Sequence, residues 1–284
     1  MSHTPLLIWA GVPLHRPLVM GILNATPDSF SDGGKHGTIE AAIAAGAAMR
    51  AAGADIIDIG GESTRPNAFP IPPEQEIARI APVITALAAQ GATISADTRN
   101  AATMAAALDA GAKIINDISG LKHDPKSAAL VAARACPVVL MHMRGSPLTM
   151  NIQAGYTDVV EDVLKELTAT RDAALAAGIH PKNIALDPGL GFAKLGAQNI
   201  ALLRATARFA ALGHPLLIGL SRKKFIGEAV AEPNPEKRGP GSIAAGLYAI
   251  AQGAHILRVH DVPETVQALR IWQRLIAGDD GPNF

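Results

Sequence analysis

TISADTRNAATMAAALDAGAKIINDI, running from Thr93 to Ile118, decides the fold. Thr93–Asp97 reads as a short strand, Ala101–Ala110 as an alanine-rich helix, and Lys113–Ile118 as a second strand. Gly111 stands where the helix must stop, a position at which a left-handed cap favours glycine. The phrase repeats outward in both directions. Further strands are predicted at Leu18–Asn24, Asp55–Gly60, Val138–His142, Ile184–Asp187, Leu216–Gly219 and Ile256–His260. Helices are predicted at Ile39–Ala52, Pro73–Gln90, Pro125–Arg134, Val159–Ala177, Ala197–Ala211, Ser242–Gln252 and Pro263–Ile276, with Gly53, Gly91 and Gly253 marking further ends. Eight strand–helix alternations are the count of a closed parallel barrel. An open doubly wound sheet more often has about five to seven strands and a glycine-rich first turn, and no G-x-G-x-x-G opens the first helix. The expected fold is α/β, a (β/α)8 TIM barrel, with a short hairpin in Pro5–Arg16, turning at Ala10-Gly11, to close the barrel bottom.

A TIM barrel takes about 250 residues, so the 284 residues are expected to form one domain, 1–284, with a core over about 18–276. Hydrophobic residues make up 49% and aromatics 4%, so the core must be built of Ala, Val, Ile and Leu. That suits a parallel sheet under alanine-rich helices. Lysine and arginine balance aspartate and glutamate, 25 against 25, which gives no global field for nucleic acid or an anionic membrane. Any anion site must be local. Cys136 is alone, so an intrachain disulfide and a cysteine-built metal site are excluded; beside Pro137 it reads as a small buried apolar residue. No apolar run approaches the roughly 20 residues of a membrane span, and no leader pattern opens the chain. A cytoplasmic protein is expected.

Residues at the C-terminal ends of barrel strands converge on one mouth. In order these are Asn24, Gly60-Gly61-Glu62, Asp97, Asn116-Asp117, Met141-His142, Asp187, Ser221-Arg222-Lys223 and Arg258-Val259-His260. Almost every strand delivers a polar group to the same rim. Asp97, Asn116 and Asp187 offer acceptors and an amide, Lys223 and Arg258 offer donors, and Ile118, Met141, Met143 and Phe192 offer apolar walls. A planar heterocycle with an N–H/C=O/NH2 edge would fit such a cradle. Arg65, Arg222, Lys223, Arg258 and His260 form a cationic group able to hold a pyrophosphate, and Asn24 can give Mg2+ one oxygen. The long irregular stretches Thr26–Gly37, Glu62–Pro73 and Arg144–Tyr156 all follow strand C-termini.

The motifs then name a family. MGILNATPDSFSDGG (Met20–Gly34) and IDIGGESTRP (Ile57–Pro66) resemble the first- and second-loop signatures of the dihydropteroate synthases. SADT (Ser95–Thr98), INDI (Ile115–Ile118), LMHM (Leu140–Met143), LDPGLGF (Leu186–Phe192), GLSRK (Gly219–Lys223) and RVHDV (Arg258–Val262) follow in order. This resemblance implies condensation of 6-hydroxymethyl-7,8-dihydropterin pyrophosphate with p-aminobenzoate in folate biosynthesis, giving 7,8-dihydropteroate and pyrophosphate. It implies that Asp97, Asn116, Asp187 and Lys223 hydrogen-bond the pterin, that Ile118, Met141 and Phe192 line its pocket, and that Arg258 stacks over the ring. Asn24, Arg65 and His260 match the pyrophosphate and Mg2+ side; Thr64, Pro66, Ser221, Pro27 and Phe30 match the region where p-aminobenzoate meets the first two loops. The catalytic set on this reading is Asp97, Lys223, Arg258 and His260, and the family suggests a homodimer through late helices. Two rivals share the pterin cradle: a methyltetrahydrofolate:corrinoid methyltransferase, which should lack the two loop signatures, and a paralogue that binds pterin without condensing it.

Other residues carry plainer readings. Glu62 is expected to satisfy loop N–H groups, and Asp117 to cap a turn or pair with a neighbouring base. His142 is either a buried, hydrogen-bonded residue or a rim ligand; of Met141 and Met143, one is expected in the core. Asp261 is read as a possible cap of the last helix, and Arg99 and Lys224 as variable positions. Two departures from the family pattern stand out. Asn67 replaces a usual glycine and is expected at positive φ, and Ala193 replaces a frequent glycine as a small steric change.

Overall fold

Strand residues in this protein alternate between two surroundings, and that alternation builds both the core and the site. The structure, a computed structural model, describes residues 8–26 and 39–277. Pro5–Leu7, Pro27 to Gly37 of the first loop, and the tail from Gly278 lie outside the described residues. A hairpin of β1 (Ile8–Trp9) and β2 (Val12–Pro13) comes first, turning at Ala10 and Gly11 with φ of 54° and 77°. Eight strands and their helices follow: β3 (Leu18–Asn24), α1 (Ile39–Ala51), β4 (Ile56–Gly60), α2 (Pro73–Ala89), β5 (Ile94–Asp97), α3 (Ala101–Asp109), β6 (Ile114–Asp117) and α4 (Ser127–Arg134). The second half holds β7 (Val138–Met141), α5 (Val159–Ala176), β8 (Ile184–Asp187), α6 (Ala197–Arg204), α7 (Thr206–Ala210), β9 (Leu217–Gly219), α8 (Lys224–Val230), α9 (Gly239–Ala251), β10 (Ile256–Val259) and α10 (Val262–Ala277).

All pairings among β3–β10 are parallel, in the order β8-β7-β6-β5-β4-β3-β10-β9. A parallel bridge between Leu186 and Leu216 joins the two ends, and Leu186 N–H donates to the Pro215 carbonyl at 2.9 Å. The sheet is therefore a barrel, as its eightfold alternation predicts. One set of side chains points into it. Leu18, Met20, Ile56, Ile114, Val139, Ala185, Leu217 and Ile256 fill its lower half and pack with Trp9 of the hairpin. Trp9 is 1% exposed and its indole N–H donates to the Asn183 carbonyl at 3.3 Å, so the hairpin does close the bottom. The alternate set, including Ile57, Ile59, Ile94, Ile115, Leu140, Leu186 and Ile218, packs outward beneath the helices.

Most boundaries differ from expectation by a residue or two, and three departures are larger. The predicted Ala197–Ala211 helix breaks at Ala205, because the Thr206 hydroxyl donates to the Leu203 carbonyl at 2.6 Å and turns the chain into α7. Helix α8 was not foreseen, being only seven residues long between polar segments. Helix α9 starts at Gly239, earlier than Ser242, since Pro240 is tolerated in a first turn. The four capping glycines, Gly53, Gly91, Gly111 and Gly253, all have positive φ. Ala135 and Ala231 take the same left-handed role after α4 and α8, with φ of 48° and 55°, and both are exposed. An L-residue there is strained by roughly 1–2 kcal/mol, part of which glycine loses again through unfolded-state entropy. Ala135→Gly and Ala231→Gly should each stabilise by about 0.5–1 kcal/mol, read as a rise in the urea midpoint at unchanged slope.

Candidate active site

Following the inward-pointing set up the strands leads, Met141 of β7 and Gly219 of β9 excepted, from aliphatic or small residues to polar ones. Ile56 gives way to Asp58, Ser95 to Asp97, Ile114 to Asn116, Val139 to Met141, Ala185 to Asp187, Ile256 to Arg258 and Ile22 to Asn24. These side chains meet at the C-terminal mouth. Arg258 of β10 reaches past β3, donating from Nε to Asp58 Oδ2 at 2.6 Å and from its terminal nitrogen to Asp97 Oδ2 at 2.5 Å. Asn116 Nδ2 donates to the same Asp58 oxygen at 3.0 Å. The other oxygen of each aspartate, Oδ1, is buried with no hydrogen-bond partner. Burial, together with the charge of Asp58, pushes Asp97 up to about 7 against the pull of Arg258. Arg258 is itself desolvated, yet Asp58 and Asp97 hold its guanidinium firmly charged.

Across the mouth, Asp187 Oδ1 accepts the Gly189 N–H at 2.7 Å. Burial raises its carboxyl, with Lys223 the main opposing charge. Lys223 donates to the Leu190 carbonyl, lies 4.5 Å over the Phe192 ring, and is lowered to about 8 by burial. Gly219 separates the two sides: a Cβ there would stand 3.9 Å from both Asp187 Oδ2 and Arg258 Cδ. A larger residue would fill the space between them. Ile118, Met141, Met143, Met150 and Ala193 form an apolar cluster against Phe192. Both methionines of LMHM, one of which was expected in the core, are buried in this one cluster.

The rim is less cationic than the sequence suggests. His260 Nδ1 lies 3.0 Å from Ser221 Oγ, and burial with the nearby Arg258 and Arg222 charges lowers it to about 4. It is neutral at pH 7. Arg222, counted on as an anion ligand, is bound by Asp261, with Nε 3.1 Å from Oδ2 and a second contact to Oδ1. Asp261 is thereby a partner of Arg222 and not a side-chain cap of α10. Thr64 and Arg65 sit in the loop after β4, half-buried and exposed, and bond none of the cradle side chains. That loop crosses toward the loop after β7, where Asn67 N–H donates to the Pro147 carbonyl at 3.0 Å. Asn67 has the expected positive φ, 65°. Asn24 ends β3 beside Gly60, half-buried. Pro27 and Phe30 lie outside the described residues.

Plainer readings mostly hold. Glu62 accepts from Ile71 N–H and pairs with Arg99, Nε to Oε2 at 2.9 Å. Arg99, read as a variable position, is a buried ion paired with Glu62, and Lys224, read likewise, is exposed. Asp117 caps its own turn, accepting from Ser119 and Leu121 N–H. His142 is wholly buried on the helix side of β7. Ala193 has φ of 52°, so the glycine usual there is a matter of backbone conformation more than of bulk. Sequence reading passed over Asp58 and Lys194. Asp58 had a usable signal, a lone charge on the inward phase of an apolar strand.

A family model described as pterin binding enzyme matches residues 20–260. The chain is 46% identical to dihydropteroate synthase of Neisseria meningitidis serogroup C, covering 93% of this chain and 94% of that protein. It is 49% identical over 89% of its length to a probable bifunctional folylpolyglutamate synthase/dihydropteroate synthase of Haloferax volcanii, but spans only 30% of that larger protein. A structure of Xanthomonas albilineans dihydropteroate synthase with 4-aminobenzoic acid superposes with a TM-score of 0.90 at 48% identity, covering 96% of this chain and 98% of the other.

Asp58 makes the strongest structural demand at the mouth, because it alone joins Arg258 to Asn116. Asp58→Ala leaves a buried guanidinium half-paired and should destabilise by roughly 3–5 kcal/mol. Asp58→Asn keeps an acceptor for both donors and should lose clearly less. Equal urea midpoints for the two variants would contradict this account.

Proposed function

This chain belongs to the pterin-binding enzyme family as a dihydropteroate synthase, a transferase, and we propose that its barrel mouth carries the condensation residue by residue as follows. The carrying observation is one opening that holds two unpartnered buried carboxylate oxygens, an amide and a lysine against a methionine–phenylalanine wall. A pterin offers an N–H/NH2 edge to such oxygens and a flat face to such a wall. Asp97, Asn116 and Asp187 take the heterocycle's edge, Lys223 donates to its ring, and Ile118, Met141 and Phe192 hold its faces. Arg258, fixed by Asp58 and Asp97, lies against the ring. Thr64, Arg65, Ser221 and His260 complete the site toward the pyrophosphate and p-aminobenzoate. A neutral His260 donates to phosphate oxygens from Nε2 if Ser221 O–H supplies its Nδ1.

The bond from the exocyclic CH2 to the pyrophosphate oxygen breaks, and the aniline nitrogen of p-aminobenzoate bonds to that carbon. The nitrogen's proton leaves last. Charge developing on the dihydropterin lies beside Asp97 and Asp187, so the protein acts by position and preorganised field and forms no covalent intermediate. Arg65, Arg258 and His260 stabilise the departing pyrophosphate. Mg2+ fits this site as an ion carried by substrate: Asn24 offers one neutral oxygen, and no cluster of three metal-binding side chains occurs among the described residues. Bound there, it would neutralise pyrophosphate charge, with phosphate oxygens and water as its other ligands.

Exposed Tyr248 on α9 and Ile271, Leu275 and Ile276 on α10 support a homodimer through these late helices. We also propose a single functional domain and a cytoplasmic location; among the described residues no helix is long and apolar enough to cross a membrane.

Asp97→Asn and Lys223→Ala should each lower p-aminobenzoate-dependent pyrophosphate release on the order of a hundredfold and weaken pterin binding. Full activity in either would remove that residue from the pterin site. Calorimetry should show Mg2+ binding only when pyrophosphate or the pterin pyrophosphate is present; tight binding of Mg2+ alone would contradict a substrate-borne ion.

A further inference from the structure

Lys194 follows the apolar wall in sequence and is 3% exposed, though it bears an ammonium group. Its Nζ donates to the carbonyl oxygens of Phe192 at 2.8 Å and His142 at 3.2 Å, and lies 2.9 Å from His142 Nδ1. Three acceptors about one nitrogen match the three donors of an ammonium ion. His142 Nε2 is in turn 2.9 Å from Glu166 Oε2 on α5. A neutral ring with the proton on Nε2 satisfies both neighbours at once. Arg144 closes the chain, donating from Nε to both Glu166 oxygens at 3.1 Å and lying 4.0 Å over the Tyr156 ring. A buried ammonium is expensive unless fully bonded, and no step of the reaction above uses this one.

Its two carbonyl partners are informative. They belong to the segments that follow β7 and β8, His142 next to Met141 and Phe192 in the loop beyond Asp187, and the Met141 and Phe192 side chains pack in the apolar cluster at the mouth. These segments are already in close contact, since a Cβ at Gly189 would collide with the His142 carbonyl. Burial favours loss of the Lys194 proton, and Asp187 is the chief charge that retains it.

We propose that Lys194 is a positioning residue for the pterin site, tying the His142 and Phe192 carbonyls so that the Met141 and Phe192 walls keep one separation, with Glu166 orienting it through His142. This rests on the mouth binding the pterin. Steady-state kinetics of Lys194→Met, Glu166→Gln and Leu87→Ala, each with its melting temperature, test it. Leu87 is a core residue near the far end of α2 and controls for lost stability. Lys194→Met should raise KM for the pterin pyrophosphate about tenfold and leave KM for p-aminobenzoate within about twofold. Glu166→Gln should shift the pterin KM in the same direction by a smaller factor, and Leu87→Ala should shift neither. The proposal is overturned if Lys194→Met raises both KM values alike, or neither, or if Leu87→Ala reproduces its pattern at similar melting temperature. If Lys194→Met does not fold, an unchanged pterin KM in Glu166→Gln overturns it. Failure of the unmodified enzyme to release pyrophosphate with p-aminobenzoate would instead strike the reading of the site.

Discussion

A guanidinium ion lies between two buried carboxylates, and strands from different parts of the barrel must keep register for it to stay there. Arg258 leaves β10, passes β3, and ends on Asp58 of β4 and Asp97 of β5, while Asn116 of β6 shares the Asp58 oxygen. Pairing of Asp58 with Ser95, of Gly60 with Asp97 and of Asp97 with Asn116 fixes the offsets among these groups. A slip of one residue would turn any of them out among the helices. Unpaired, each charge would carry a desolvation penalty of several kcal/mol. The ionic cross-link therefore gains its value from the barrel's closure, and the barrel's mouth gains one defined shape from the cross-link.

The same alternation divides the labour along the axis. Below, inward positions are aliphatic and Trp9 seals them, so stability comes from apolar burial. Above, most inward positions are charged or amide-bearing, and their spacing is a matter of hydrogen bonds. Gly60 and Gly219 stand inward at this upper level and leave the room that the polar groups need. Outward positions at the same height serve the scaffold: Asp117 caps its turn and His142 bonds Glu166 of α5.

That phase rule explains what the sequence revealed and what it hid. Eight strands were legible because apolar runs and glycine stops recur, and strand ends alone identified Asp97, Asn116, Asp187 and Arg258. Counting end residues did not separate inward from outward, which left His142 and Asp117 undecided beside Met141 and Asn116. Two-residue phase from Ile114 and Val139 resolves both pairs. Asp58 was hidden because it stands two residues before its strand's end, inside IIDIG. Lys194 and the Arg222–Asp261 pair were hidden for a different reason. Their partners are 52 and 39 residues away, and no local pattern encodes those distances. The break at Ala205 turns on one local hydroxyl–carbonyl bond, and α8 is too short for helical periodicity to show.

The charged groups of the mouth also act on stability in opposite senses. Asp97, raised to about 7 from an ordinary 3.8, binds a proton in the folded state that the unfolded chain has released, so its contribution falls as pH rises through that interval. His260, lowered from 6.5 to about 4, resists a proton that the unfolded chain accepts, so its contribution is lost as pH falls below 6.5. Between about 4 and 6.5 these two slopes oppose each other. Near neutrality the Asp97 penalty persists beside that of Lys223, whose value lowered to about 8 costs stability below it. The Asp97 penalty comes from burial, including that of an oxygen with no donor, and from the Asp58 charge. A ligand edge that supplies the donor lowers that penalty directly. On the proposed binding mode the unpartnered oxygens are a reserve of unfavourable energy released on binding, and the mouth's affinity for a hydrogen-bond-donating heterocycle would rest on the same burial that makes Asp97 hard to ionise.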